Sequence, residues 1–307
     1  PSVAVAASYR SWLSAGLTFQ VVKGWAKFNQ AVWGGMTSGT DPAFDAVAHV
    51  DVTSKATPTA VLGVTVRPTP RLALGVSYRP RWTFDATGTL TTDLPPSAMA
   101  IGAHQVGTST GFVLREADVV RLGAKWTHNA RLLVEGDVVY ENWSPLSTIE
   151  IHPQNIHVVS DNFGTDRVLQ NIIFPKDFES TFSLRAGGDY VLVPGRLTVR
   201  GGLLYERSAI PQSSTNVDFG NWDRYMVALG ASVPVLWWLT VDVAYAHHFI
   251  PSRTVTNSTA VQVVSPCLTP GCTDPAPTVI GNGTYDASLD VFSLAIRVAL
   301  DARRASP

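Results

Sequence analysis

The chain has 307 residues, room for two ordinary soluble domains or one large all-β unit. Charged residues make up 15% of it, against roughly 25% in a typical soluble domain, and only Lys23, Lys27, Lys55, Lys125 and Lys176 are lysine. A formal net charge of −1 leaves no basic excess for nucleic acid, and no apolar run reaches the ~18–20 residues of a membrane-crossing helix.

Apolar and polar residues alternate with period two almost from the start. The first strand is read over Val3–Arg10 and the second over Leu13–Asn29. From Leu72 to Thr87 the even positions are Leu72, Leu74, Val76, Tyr78, Pro80, Trp82, Phe84 and Ala86, while the odd ones are small, polar or charged. Pro80 cannot donate to a ladder, so a bulge or weak pairing is expected there. Further on, Leu132, Val134, Val138 and Tyr140 oppose Glu135, Asp137 and Glu141. Phe182, Leu184 and Tyr190 oppose Ser183, Arg185 and Asp189; Leu197, Val199, Leu203 and Tyr205 oppose Thr198, Arg200 and Glu206. The last strand is read over Asp290–Leu300. No stretch shows a 3.6-residue period, so the class is all-β.

The connections carry the next clue. Short turns fall near Arg10–Trp12, Pro68–Pro70, Thr127–Ala130, Val193–Gly195 and Pro234–Trp237. Long polar segments fall near Trp33–Thr57, Gly88–Gly111, Ser144–Phe178, Arg207–Asn221 and Pro251–Thr284. Short and long alternate strictly, which gives about eleven strands in an antiparallel meander. A soluble sandwich has no need of that order, whereas a transmembrane barrel has short periplasmic turns and long outer loops. Tyr9 and Trp12, Trp82, Trp126, Trp143, Trp222 and Tyr225, Trp237 and Trp238 gather toward strand ends, as interface girdles do.

Strand parity turns Arg79, Arg81, Asp85, Arg121, Lys125, Glu135, Asp137, Glu141, Arg185, Asp189, Arg200, Asp242 and Arg297 into the lumen. Their interleaved signs predict cross-strand pairs rather than an ion-selective filter. The first strand precedes a short turn and the last follows a long segment. An even-numbered barrel then needs an odd number of strands ahead of Pro1, or a second chain, to close it.

Catalytic and metal chemistry find little purchase. His247 and His248 are adjacent, so on a strand they face opposite ways and cannot share a metal. No nucleophile elbow and no EF-hand-like loop accompanies them. Cys267 and Cys272 flank a Pro270-Gly271 turn, and a local disulfide in an oxidising compartment fits them better than a two-ligand zinc site. The Ser144–Phe178 segment carries Ile149, Ile151, Ile156, Val158, Val159, Ile172, Ile173 and Phe174, which is more grease than a solvated loop holds. It either packs over the barrel mouth or offers a capture surface for hydrophobic ligands.

Several stretches, in order along nearly the whole chain, carry a resemblance. They are AVLGVTVRPTPRLALGVSYRPRWTFDATGTLTTDLP (Ala60–Pro95), VVYENWSPLSTIEI (Val138–Ile151), FESTFSLRAGGDYVLVPGRLTVRGGLLYERSAIP (Phe178–Pro211) and NWDRYMVALGASVPVLWWLTVDVAYAHH (Asn221–His248). Together they resemble the FadL-type outer-membrane transporters of long-chain fatty acids and aromatic hydrocarbons. The resemblance implies a fourteen-strand barrel with an N-terminal hatch, of which this chain begins at the fourth strand. The hatch and the kinked early strand that the family uses as a lateral exit are absent, and a tail over 301–307 follows the single barrel domain of 1–300. The family's basic lumen residue falls on Trp25, with Lys23 and Lys27 on either side as candidates for a carboxylate. Lumen-facing Arg79 and Arg185, with Ile172, Phe174 and Phe178 of the greasy segment, complete the candidate substrate-binding set.

The expectation is passive uptake of hydrophobic small molecules across a bacterial outer membrane, with membrane lipid and a hydrophobic ligand as partners. No nucleic acid, cofactor, metal or enzymatic step is expected. The alternative is a barrel without a transport role, acting in assembly or surface interaction.

Overall fold

The computed structural model describes residues 1–36, 39–217 and 222–299; the tail read over 301–307 lies outside them. In chain order, strands alternate between a wall and an outer cap. β1 (Ser2–Tyr9) and β2 (Leu13–Val22) belong to the wall, and β3 (Trp25–Val32) and β4 (Ala46–Ser54) leave it. β5 (Thr57–Thr69) and β6 (Leu72–Arg79) return, and β7 (Thr83–Asp93), β8 (Ala103–Val106) and β9 (Ser109–Arg115) leave again. β10 (Asp118–Thr127) and β11 (Leu132–Asn142) re-enter the wall before a cap excursion through β12 (Thr148–Pro153), β13 (His157–Ser160), β14 (Thr165–Val168) and β15 (Ile172–Pro175). β16 (Thr181–Val193), β17 (Leu197–Glu206), β18 (Arg224–Leu236), β19 (Leu239–Val255) and β20 (Gly283–Val298) complete the wall.

The wall is an 11-stranded antiparallel sheet in the order β1-β2-β5-β6-β10-β11-β16-β17-β18-β19-β20, the meander expected from the turn pattern. Its ladders shift register at few points, and three of them contain a proline that cannot donate: Pro68, between Val66 and Thr69, Pro234, and Pro251, between Ile250 and Arg253. On the outward face sit Leu74, Val76 and Tyr78 of β6, Val134, Val138 and Tyr140 of β11, and Leu203 of β17, all exposed. A sheet face of this kind is stable against lipid tails and costly against water.

The long connections are not the polar loops that their composition suggested. They build a 6-stranded sheet, β15-β12-β9-β7-β4-β3, and a 3-stranded sheet, β14-β13-β8. The six-stranded sheet carries a hydrophobic core containing Val50, Val52, Phe84, Leu90, Phe112 and Ile151, against which Phe28, Trp82, Trp143 and Phe174 pack. Two strands read as continuous therefore divide at the outer rim. Leu13–Asn29 breaks at Lys23-Gly24, where the Gly24 N–H donates to Ser54 Oγ at 2.8 Å. Leu72–Thr87 breaks at Pro80–Trp82, one step beyond the weak pairing expected of Pro80.

The break changes what covers the apolar face. Leu74, Val76 and Tyr78 face outward, whereas Phe84 and Ala86, on the same parity, are buried in the cap. Trp82 and Trp143 accordingly pack on the cap core and Trp222 is buried, so these three are not membrane anchors. Tyr9, Trp12, Trp126, Trp237 and Trp238 are exposed at the short-turn end, and Tyr78, Tyr140, Tyr205 and Tyr225 form the outer ring.

Candidate functional site

Two cavities bear on the site, one in the cap and one in the lumen. The outer one, about 970 Å³, opens within the cap. Its lining includes Ala46 and Ala48 of β4, Leu90 of β7, Ile156, and Ile172 and Phe174 of β15. Alternation explains why these residues meet: in β4, Ala46, Ala48, Val50 and Val52 are buried while Val47, Asp51 and Thr53 point out. The same alternation lay readable within Trp33–Thr57 but was masked by the polar residues around it.

Residues 259–281 of the last long connection form another side of the cavity. They are tied down at several points. The Trp33 N–H donates to the Val263 carbonyl at 2.9 Å and the Ser265 N–H to the Trp33 carbonyl at 2.9 Å. Thr165 Oγ1 donates to the Leu268 carbonyl at 2.6 Å, and Arg167 Nε to that of Cys267 at 3.3 Å. Cys267 and Cys272 are joined in a disulfide, with Cys267 fully buried. Closing so short a loop removes about 2 kcal/mol of unfolded-chain entropy. Replacing both cysteines by serine should therefore speed amide exchange across 259–281 by roughly tenfold or more, with the wall strands unaffected. Hydrogen-exchange mass spectrometry reads this directly; unchanged exchange in the loop would show that its hydrogen bonds alone hold it.

The second cavity, about 470 Å³, is in the lumen and is lined by Arg185, Asp189, Arg200 and Asp242 over a floor of small residues such as Gly187, Gly202 and Ala228. Arg200 reaches Asp189 at 3.2 Å and Asp242 at 3.3 Å, while Arg297 holds Asp242 through Nε at 2.7 Å and Nη2 at 2.9 Å. Arg224 pairs with Glu206 at 2.8 Å. These are cross-strand pairs that stiffen the wall. Arg121, Lys125, Glu135, Asp137 and Arg185 make no ion pair among the described residues, and so leave both signs available in the lumen.

The candidate residues scatter. Ile172 and Phe174 line the cap cavity, Phe178 sits in the core beneath it, and Arg185 lines the lumen. Arg79 is on the lumen face of β6, where its guanidinium donates to the Ala117 carbonyl at 3.5 Å. Burial pushes the neighbouring Glu116 carboxyl above its usual range, and Arg79 opposes that rise. Lys23, Trp25 and Lys27 do not line either cavity. They lie on the exposed side beyond the β2 break, with Trp25 75% exposed and Lys27 paired to Asp51 at 2.8 Å. Arg81 and Asp85, also placed in the lumen by parity, lie beyond the break after β6, and Asp85 pairs with Lys55 at 3.2 Å. On the cap's outer face Glu150 accepts from Thr148 and Arg115, and the Thr148 hydrogen bond above all holds its carboxyl below the usual range.

Known proteins share this arrangement. A Pseudomonas aeruginosa FadL homologue superposes with a TM-score of 0.70 at 18% identity, over 97% of this chain and 66% of that one. The Ralstonia pickettii toluene transporter TbuX gives 0.55 at 14%, over 80% and 61%, and the P. putida toluene transporter TodX gives 0.52 at 14%, over 83% and 63%. The chain thus spans less than two thirds of the length of each. No curated protein matches it. At these identities the likeness establishes the fold; the family rests on a separate match, to the family model of the outer membrane protein transport proteins (OMPP1/FadL/TodX), over residues 2–289. With nearly the whole chain matched, the protein belongs to that outer-membrane family.

Proposed function

We propose that this chain forms the wall and outer cap of a passive channel that takes up hydrophobic small molecules, such as long-chain fatty acids or aromatic hydrocarbons. The observation that carries the reading is the cap cavity of about 970 Å³, lined by Ala46, Ala48, Leu90, Ile156, Ile172 and Phe174 and standing over a mixed-charge lumen. An apolar chamber on the outer side favours solutes that leave water readily, and concentrates them above the barrel. The lumen's small-residue floor then lets them pass without a tight second site. Transport down a gradient asks for no cofactor, metal, catalytic group or energy source.

The wall's two edges belong to the same proposal. Among the described residues β1 pairs only with β2 and β20 only with β19. Unpaired backbone in lipid costs several kcal/mol per group, so further strands, from this protein or another chain, close the barrel in the membrane.

Uptake tests the reading. Cells with and without the protein are given labelled oleate, toluene or, as control, a hydrophilic sugar. The protein should raise entry of at least one hydrophobic solute several-fold and leave the sugar unchanged. Binding of these solutes without any gain in uptake would instead favour a surface-interaction role.

A further inference from the structure

Wall positions on the outward face are apolar almost throughout. β18, for example, turns Tyr225, Val227, Leu229, Ala231 and Val233 outward. Few positions depart from the rule: Ser288 of β20, Asp118 with Asn142 where β10 and β11 meet the cap, and one His–Asp pair. His247 of β19 and Asp290 of β20 are register partners on the outward face, together with Tyr245, Phe249 and Phe292. His248, by contrast, faces the lumen opposite Met226.

The outward cluster is built. His247 Nδ1 lies 2.7 Å from Asp290 Oδ1, and the Tyr245 hydroxyl donates to the same oxygen at 2.7 Å. An ionised carboxylate only accepts, so Nδ1–H donates to it, and the neutral form of the ring then leaves a lone pair on Nε2. Among the described residues Nε2 makes no hydrogen bond. Aromatic rings wall the site: Phe249 stands T-shaped to His247 at 4.3 Å, and Phe292 packs on Tyr245 at 4.9 Å.

Depth matters to what can reach it. His247 is nine residues beyond Trp238 at the short-turn end of β19. At ~3.3 Å per residue and a tilt of ~40°, that places it about 23 Å up an apolar band of about 25 Å. The level is where acyl chains meet head groups in the outer leaflet. An ionisable pair facing lipid is costly and is found where a ligand, a pathway or a partner uses it. The lumen pathway is on the other side of the wall, and no hydroxyl is hydrogen-bonded to Nε2 as a nucleophile would be.

We propose that His247, Asp290 and Tyr245 form a lipid-side binding site for the head group of an acyl-chain amphiphile that carries an O–H or N–H donor. The donor can be the protonated carboxyl of a free fatty acid or the hydroxyl or amide of a membrane lipid. Nε2 accepts its hydrogen, and Asp290 holds the ring in the accepting tautomer. The tail runs inward along Phe292, Leu294 and Ile296 of β20, which share the outward face with Asp290. The site is apart from the cap cavity, so its failure would leave the transport reading intact.

Photocrosslinking in lipid nanodiscs tests it, with three diazirine-bearing probes: palmitic acid, a ceramide, and phosphatidylcholine, which lacks a donor at this depth. Palmitic acid, ceramide or both should label the peptide spanning Phe292–Ile296 well above phosphatidylcholine. Labelling by the acid alone identifies a free fatty acid, and labelling by ceramide identifies lipid hydroxyl or amide donors. Replacing both partners, His247→Leu with Asp290→Leu, leaves an apolar lipid face that should still fold, which heat-dependent gel mobility checks. That variant should lose up to about tenfold of the labelling, the worth of one well-made hydrogen bond between neutral groups. Equal labelling by phosphatidylcholine, unchanged labelling in the double variant, or crosslinks between two copies at these positions would overturn the proposal.

Discussion

Replacing Leu229 with arginine is expected to cost the barrel about 2 kcal/mol, whereas Ala228→Arg, one residue away, should cost about 1 kcal/mol or less. Leu229 is near the middle of β18, paired with Gly201 and Tyr245, and is 66% exposed on the outward face. An arginine there meets lipid tails about 5 Å outside the bilayer midplane, still within the apolar band. Ala228 lies between Gly202 and Ala246 and lines the lumen cavity. An arginine in that position has water and lumen carboxylates such as Asp137 within the same chamber. Equilibrium unfolding in urea, with the protein refolded in lipid vesicles and followed by tryptophan fluorescence, measures both variants. Equal costs, or the greater cost at Ala228, would put the apolar face inward and defeat the barrel reading.

That parity was legible in the sequence, because a pleated strand between two solvents writes its faces into alternate residues. The order of wall strands was legible too, since every short turn was marked by proline, glycine or a polar pair and every long segment followed one. What alternation cannot state is which apolar partner covers the greasy side. Tyr78 and Phe84 share a parity, yet one faces lipid and the other the cap core, because Pro80–Trp82 re-aims the chain between them. The break at Gly24 has a fainter mark still: a glycine inside a strand pattern, whose N–H is taken by Ser54 some thirty residues on. With that break unseen, Lys23, Trp25 and Lys27 were carried into the lumen along a strand that had already ended. The cap was missed for a related reason. Composition makes Trp33–Thr57 look like a polar loop, while the residues that build its core, Ala46, Ala48, Val50 and Val52, are small and are separated by His49 and Asp51.

The cap's role as a ligand chamber makes an equally sharp demand on β15. Phe174 lines the cavity and packs on the cap core, while Val106 of the cap strand β8 is 48% exposed and lies outside the cavity's lining. Phe174→Asp places a charge where the ligand's apolar surface should lie. It removes the contact that a large aromatic side chain supplies and obliges any hydrophobic solute to desolvate a carboxylate. Affinity for a hydrophobic fluorescent probe should fall by at least about tenfold, a change of about 1.4 kcal/mol, and uptake should fall with it. Val106→Asp puts the same charge on the cap but into solvent, outside the cavity's lining, and both readouts should stay near the unmodified protein. The pair separates loss of binding from loss of folding, provided that heat-dependent gel mobility shows both barrels intact. If both variants bind the probe as the unmodified protein does, the cavity is not the capture site, and entry must begin elsewhere on the outer surface. If both lose binding alike, charge anywhere on the cap disturbs it, and the cavity's lining can no longer be credited with recognition. Only a loss confined to Phe174 ties capture to the face that alternation turned inward.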